Sequence, residues 1–503
     1  MQPSSTFDKF FPFIVFGWWF LVIIVIVSVR NLYFRIFPNV KYGLHYIRGL
    51  PFVGTFFISV NRPHLTLTKF VKRYGAMYWM KVLGKDMLVI SEPESIYEAM
   101  HNSKLGGRPH IWRVAYGFHF QKDIIFGDGL QKWAYMKKVA AAAVRKFQDN
   151  TLTSVEANTK KELDDMIQNF QTFASKNVAF DPALLVLTAV VNIVAKSATN
   201  TTYRYDDEPM KKYKKATEIF SQICSPIRGF ELEIFPLLRH LPMFNMPLLT
   251  EGRAIMDELI DTEFRKVQTR WEKGNPKCFL DYFLDDPQLE KNDVRSIFLD
   301  LIVSATYTTS IALNSFLLLM AVYPEEQDKL RTVIYSAIQK KWPTIQDKEK
   351  MIYVQATVLE LLRYLSHVPL SLPHLALEDT EISGYYVPKN SEIILNLWAM
   401  HHNPKIFPNP WSFKPSRFIS NGVLINHKYL LPFGAGKRHC LGESLAKERL
   451  FMFFVVLLQN FEIYHDNDNF DYQTCADPRS FLLGIILQPD TFKIRMRKLP
   501  DEF

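Results

Sequence analysis

Cysteine is scarce in this chain. Cys224, Cys278, Cys440 and Cys475 are its only four among 503 residues. They lie far apart and form no CxxC pair, which argues against a disulfide framework or a structural zinc site and fits a reducing compartment. A metal held by sulfur here would use one thiolate. No flavin or nicotinamide fingerprint occurs, so electrons for any redox chemistry must come from another protein. Low-complexity tracts and internal repeats are also missing, and charged residues make up an ordinary 22%, which excludes global disorder. The net charge is +9, but the basic residues are scattered in short clusters such as Lys137-Lys138, Arg145-Lys146 and Lys211-Lys212. Without an arginine-rich arm or a zinc finger, nucleic acid is a weaker partner than an anionic membrane surface or an acidic protein.

What is present is grease. There are 40 Phe, enough for a large aromatic core. Phe10 to Val29 form one uncharged apolar run. At about 1.5 Å per residue, a helix of that length just crosses a hydrocarbon core of roughly 30 Å. Arg30, Arg35, Lys41 and Arg48 follow it, so the positive-inside rule puts the rest of the chain in the cytosol. We therefore expect an anchor over 1–30, a Gly/Pro-punctuated connector over 31–55 and a catalytic body over 56–503. In the body, 76–90 reads as two short strands around Leu83-Gly84-Lys85. Segments 132–173, 207–223, 251–272, 293–322, 325–340 and 351–366 read as helices. Strands return over 381–396, and a helix follows Gly442. The body is mainly α with a minor β region.

The strongest chemical signal is Phe433-Gly-Ala-Gly436-Lys-Arg438-His-Cys440-Leu-Gly442. A lone cysteine sits in a Gly-rich loop just before a helix. Glycines let the backbone turn N–H groups toward the sulfur, and those donors with the helix N-terminus favour a thiolate. Arg438 is placed to meet a carboxylate. An axial thiolate on haem with an arginine for a propionate would suit this, as would a catalytic nucleophile. An inert buried cysteine is the third reading.

The segment resembles the cysteine-loop signature of the cytochrome P-450 superfamily at every fixed position: Phe433, Gly436, Arg438, Cys440 and Gly442. Upstream, Glu360-Leu-Leu-Arg363 resembles the family's Glu-x-x-Arg helix. Pro410-Trp-Ser-Phe413-Lys-Pro415-Ser-Arg417-Phe418 resembles the segment that supplies a second arginine. The likeness covers essentially the whole chain and is nearest to the microsomal class of the vertebrate drug- and steroid-oxidising enzymes. It implies the cytochrome P-450 fold after an N-terminal transmembrane helix, and heme b with Cys440 as its axial ligand. It also implies a buried charge network of Glu360, Arg363 and Arg417. Trp133 and Lys137 resemble a Trp-x-x-x-Arg propionate contact with Lys in place of Arg. Arg108 and His374 are further candidates for that role.

On the other side of the haem, Leu301-Ile-Val-Ser304-Ala305-Thr306-Tyr307-Thr308-Thr309 aligns with the family's (Ala/Gly)-Gly-x-(Asp/Glu)-Thr-Thr. Oxygenation needs protons, ordered by a hydroxyl and an acid. Thr308 matches the hydroxyl. Tyr307 stands where the acid belongs, and Ala305 replaces a glycine. Ser304 adds a hydroxyl, so the resemblance implies a modified relay of Ser304, Tyr307 and Thr308. Substrate contacts are expected from Ile111, Phe118, Ile124, Leu301, Ala305, Val368, Leu370, Phe481 and Leu482. They imply a lipophilic substrate. The implied partners are an NADPH-cytochrome P-450 reductase, with cytochrome b5 as a second donor, in the endoplasmic reticulum membrane. Lys137-Lys138, Arg145-Lys146, Lys437 and Lys447 would form the docking face. Two rivals stay open: a haem-thiolate isomerase or dehydratase that needs no reductase, and a non-catalytic haem-binding sensor.

Overall fold

The computed structural model describes residues 25, 40–50, 54–55, 62–117, 123–148, 155–205, 207–223, 228–465 and 470–500. The span expected over Phe10–Val29, apart from Val25, lies outside the described residues, as do connector residues 31–39 and 51–53, Cys224 and Phe118. Among the described residues, one helix is long and apolar enough to cross a membrane, Lys291–Val322. It is the central core helix of the body.

The body is mainly helical with small sheets. The long helices are α1 (Pro63–Tyr74), α2 (Gln131–Gln148), α3 (Val155–Lys176), α4 (Ala183–Thr199), α5 (Glu208–Ile223) and α6 (Met246–Arg270). They continue with α7 (Lys291–Val322), α8 (Pro324–Ile338), α9 (Ile352–Leu365) and α10 (Glu443–Asn460). Strands β1 (Val40–Lys41), β2 (Leu44–Ile47), β3 (Met77–Val82), β4 (Lys85–Ile90), β5 (His374–Leu375) and β8 (Glu392–Leu395) form one sheet. Their spatial order is β1-β2-β3-β4-β8-β5. Hairpins β6–β7 (Thr380–Ile382, Tyr385–Val387), β9–β10 (Ile419–Ser420, Val423–Leu424) and β12–β13 (Leu482–Leu483, Leu487–Gln488) are separate two-stranded sheets, and β11 (Phe461–His465) pairs with β14 (Ile494–Lys498).

The β3–β4 hairpin sits where alternation placed it, with Leu83 and Gly84 both at positive φ in the turn. The expected helix over 132–173 is two helices, α2 and α3. Helix α4 was not anticipated, because it is buried nearly all round; without a polar face there is no 3.6-residue period to read. It packs along α7, and together with α3, α9 and α10 they enclose the largest core. Phe316 of α7 and Phe454 of α10 stack there, centroids 3.6 Å apart.

α7 opens with a capping box in which Glu290 and Asp293 satisfy each other's backbone N–H groups. Such a cap contributes about 1 kcal/mol and fixes where the helix starts. That start sets which residues, several turns later, face the functional cleft between α7 and the Cys440 loop.

Candidate functional site

The cysteine loop needs its glycines for two separate reasons. Gly436 has φ +62°, and a Cβ there would lie 2.1 Å from the Met100 carbonyl oxygen. Gly434 also has positive φ, but nothing crowds it. The loop folds back so that the Cys440 N–H donates to the Phe433 carbonyl at 3.0 Å, and α10 starts at Glu443. Cys440 lies deep among protein atoms yet keeps open surface, so its sulfur faces a cleft and not packed core. Burial pushes the thiol above its ordinary value, while the Gly442 N–H and Lys137 pull it back. The expected preference for thiolate is thus outweighed by desolvation; a cation bonded to the sulfur would reverse the balance.

A cationic rim borders this cleft. Arg438 donates to the carbonyls of Gly106 (Nε, 2.7 Å), Ile124 (Nη1, 3.1 Å) and Gly127 (Nη2, 2.5 Å). Its guanidinium lies over the Trp133 ring, 4.1 Å from the centroid. Arg108 donates to Ile125, Leu372 and Pro373 carbonyls. Lys137 reaches the Lys437 and His439 carbonyls at 2.7 and 2.9 Å. His374 Nδ1 bonds to the Leu105 carbonyl at 2.8 Å. Trp133 gives its only N–H to the Ile124 carbonyl at 2.8 Å, so it acts on Arg438 through its ring face.

Desolvation leaves a mark on every one of these groups. Burial pulls Lys137 down to about 8, Arg438 to about 10 and His374 to about 3, and it lowers Arg108 well below the usual arginine value. The anions acting on the two arginines are Asp123 and, beside Arg438, Asp128. Positive charge is in surplus, and a guanidinium has five N–H donors of which the carbonyls take only some. A group bearing carboxylates would relieve that surplus.

Behind the loop sits the charge network. Arg363 forks onto Glu360, with Nε–Oε2 at 2.7 Å and Nη2–Oε1 at 2.9 Å. Arg417 Nε reaches the same carboxylate at 2.9 Å, and the Lys414 N–H donates to it at 2.8 Å. Glu360 and Arg363 are fully buried. Remaining guanidinium donors go to the carbonyls of His401, Pro408, Asn409, Pro410 and Ser412. The network thereby ties α9 to the segment that precedes the cysteine loop.

The middle of α7 is only partly covered: Leu301, Val303, Ala305, Tyr307 and Thr308 are half-buried and Ser304 is exposed, and Leu301, Ser304, Ala305 and Thr308 share one strip. Their spacing of three and four puts them on one face. Thr308 Oγ1 donates to the Ser304 carbonyl at 2.7 Å, and Ser304 Oγ to the Asp300 carbonyl at 2.6 Å. The Tyr307 hydroxyl donates to Gln488 Oε1 of β13 at 3.1 Å. Thr306 is buried on another face against the Tyr213 hydroxyl of α5.

Of the expected pocket residues, Ile111, Ile124, Leu301 and Ala305 pack on one apolar cluster, with Leu372. Val368 is half-buried just after α9. Leu370 packs instead against the sheet, Phe481 is 1% exposed within the largest core, and Leu482 is half exposed. Sequence reasoning missed Asp300 and Asp123. Asp300 is an acid in an apolar stretch of α7, one turn before Ser304, and that spacing was the available signal.

A flat cofactor that bears carboxylates and takes a thiolate would use the sulfur, the cationic rim and the hydroxyl-lined helix together, which defines the haem-thiolate class. The sequence matches the Cytochrome P450 family over residues 45–495, and the chain belongs to that family. It is 26% identical over 477 residues to Cytochrome P450 1A1 of Chelon auratus, covering 88% of this chain and 90% of that one. Cytochrome P450 1A1 of Rattus norvegicus is 26% identical over 441 residues, covering 82% and 83%. That of Cavia porcellus is 27% identical over 438 residues, covering 82% and 84%. As a cytochrome P450, the chain is a monooxygenase with haem as its cofactor.

Proposed function

We propose that the protein inserts one oxygen atom of dioxygen into a lipophilic molecule, with electrons from a separate NADPH-dependent reductase at the endoplasmic reticulum membrane. The observation that carries this reading is the accessible sulfur of Cys440 in its glycine loop, next to Leu441, which packs on the same apolar cluster as Ile111, Ile124, Leu301 and Ala305. The overall balance is one C–H bond, dioxygen, two electrons and two protons giving C–OH and water.

When bound, the haem supplies the activation and transfer of oxygen. The residues supply the rest. Cys440 would ligate the iron, with Gly442 N–H and Lys137 steadying its negative charge. Arg438, Arg108 and Lys137 would take the carboxylates, and Trp133 and His374 hold that rim in place. Phe433 and Gly436 shape the loop. Ser304 and Thr308 would hand protons into the cleft. The apolar wall excludes water and orients substrate by contact. Lys137, Lys437 and Lys447 lie near the cysteine side, where an acidic donor surface would dock.

Reconstitution with an NADPH-cytochrome P-450 reductase, with and without cytochrome b5, and a panel of sterols, fatty acids and terpenoids tests this. NADPH-dependent hydroxylated product is expected. Turnover that proceeds equally well without reductase and NADPH would overturn it in favour of an isomerase or dehydratase, the reading that Tyr307 bound to Gln488 favours.

A further inference from the structure

α7 carries Tyr307 at the position where the family resemblance calls for an acid. Its hydroxyl donates to Gln488 Oε1 at 3.1 Å, a bond between residues 181 apart in the chain. A phenol on a helix makes a good tether, because its single hydroxyl sits at the end of a rigid ring.

Gln488 belongs to the β12–β13 hairpin, in which Leu482 pairs with Gln488 and Leu483 with Leu487. A two-stranded hairpin is marginal in water on its own, and this one has two residues in each strand. Contacts with neighbouring elements therefore fix where it sits. Leu483 and Leu487 pack into the largest core. The Leu487 N–H donates to the His367 carbonyl, just after α9, at 2.8 Å, and the Gly484 N–H donates across the turn to the Ile486 carbonyl at 3.1 Å. A Cβ on Gly484 would lie 1.9 Å from Ser221 Oγ and 2.8 Å from the Ser221 carbonyl oxygen, so the turn abuts the C-terminal end of α5. The Tyr307–Gln488 bond adds a tie to α7.

The turn carries Ile485, a residue that sequence reasoning passed over. Its half-buried side chain packs on the apolar cluster that also takes Ile111, Ile124, Leu301, Ala305 and Leu441. Leu441 follows Cys440, and Leu301 and Ala305 share the α7 strip of Ser304 and Thr308. A lipophilic molecule near the sulfur would meet this cluster. Gln488 is three residues from Ile485, so a tether on one limits the movement of the other.

We propose that Tyr307 is a positioning residue for the substrate: through Gln488 it holds the β12–β13 hairpin, and so keeps Ile485 in place on the apolar cluster next to Cys440. The side chain at 307 thereby acts on the shape of the site in place of supplying protons. For the substrate, the inference rests on the proposed oxygenation; the tether itself does not.

The test uses the haem-bound full chain and two azoles that ligate haem iron, imidazole and clotrimazole, titrated by the shift of the Soret band. Imidazole needs little of the apolar wall, whereas the bulky aromatic rings of clotrimazole must pack on it. Tyr307→Phe and Gln488→Met should each weaken clotrimazole relative to imidazole by about 5-fold, the factor that one net hydrogen bond supplies. The double variant should be no weaker than either single one, because both remove the same bond. Gln488→Glu keeps an acceptor for the tyrosine and should retain wild-type selectivity between the azoles. Amide hydrogen exchange at Gly484 and Leu487 should be faster in Tyr307→Phe by a similar factor. An unchanged azole ratio in both single variants, or losses that add in the double variant, would overturn the proposal. Equal weakening of both azoles would overturn it too, since Tyr307 would then merely support the fold. A fall in product per NADPH with the azole ratio unchanged would make Tyr307 part of a proton route instead. If Tyr307→Phe fails to fold, Gln488→Met and Gln488→Glu decide. Missing thiolate-ligated haem in the wild type would sink the proposed function itself, and the exchange rates would still decide whether Tyr307 holds the hairpin.

Discussion

The two walls of the cleft are built on different principles. On the Cys440 side, charge is locked. Glu360 holds Arg363 and Arg417 at once, Gly436 fits only as glycine, and the rim cations are fixed by backbone carbonyls. On the α7 side, the Ser304 and Thr308 hydroxyls donate to carbonyls of their own helix, and the one side chain expected to be acidic is a tyrosine tied to Gln488. One wall is fixed by buried charge and backbone carbonyls. On the other, single hydrogen bonds hold the polar side chains. Substitutions on the first should therefore cost stability and cofactor, and those on the second should cost chemistry.

The largest effect expected on the locked wall is Arg363→Ala. It leaves Glu360 buried beside one remaining arginine, and breaking a buried pair costs about 3–5 kcal/mol; chemical denaturation should show that loss with a fall in haem content. A stability change near zero would mean that the network is not structural. Next comes Gly436→Ala, which puts a side chain at left-handed φ and its Cβ 2.1 Å from the Met100 oxygen. Strain alone costs about 1–3 kcal/mol; a variant as stable as wild type would show that the loop is soft.

Acid should undo the same wall before the other. Burial lowers His374 and His401 to about 3, below the unfolded value near 6.5. The unfolded chain then takes up protons first, so stability is full above about pH 6.5 and falls as pH drops toward 3. Each histidine contributes roughly 1.4 kcal/mol per pH unit over that window. His374→Gln and His401→Gln should flatten the pH dependence measured by denaturation. The smallest effect belongs to the α7 wall. Tyr307→Phe removes one hydrogen bond to Gln488 and should cost about 1 kcal/mol; a cost above 3 kcal/mol would make Tyr307 part of the locked frame.

Legibility in the sequence follows the same divide. The locked wall is local in sequence: a glycine-cysteine loop, a Glu and Arg three apart on one helix, and an arginine in a Pro-rich segment. Each fixed residue signals its own constraint. The bonds from the Ile124 and Ile125 N–H groups to Asp300 were not legible, because they join a loop to a helix far away in the chain. Helix α4 was hidden because burial on all sides erases periodicity. Phe481 and Leu370 were placed with the pocket because aromatic and aliphatic residues look alike in core and in cleft; packing alone separates them. Trp133 was read as resembling a propionate contact; in the fold its indole N–H goes to the Ile124 carbonyl and its ring face meets Arg438.

If Cys440 holds the haem iron as a thiolate, the absorption spectrum of the reduced, carbon-monoxide-bound protein shows it. A strongly red-shifted Soret band that disappears in Cys440→Ser is predicted. Haem absent from the purified protein, or a band that survives Cys440→Ser, would contradict it.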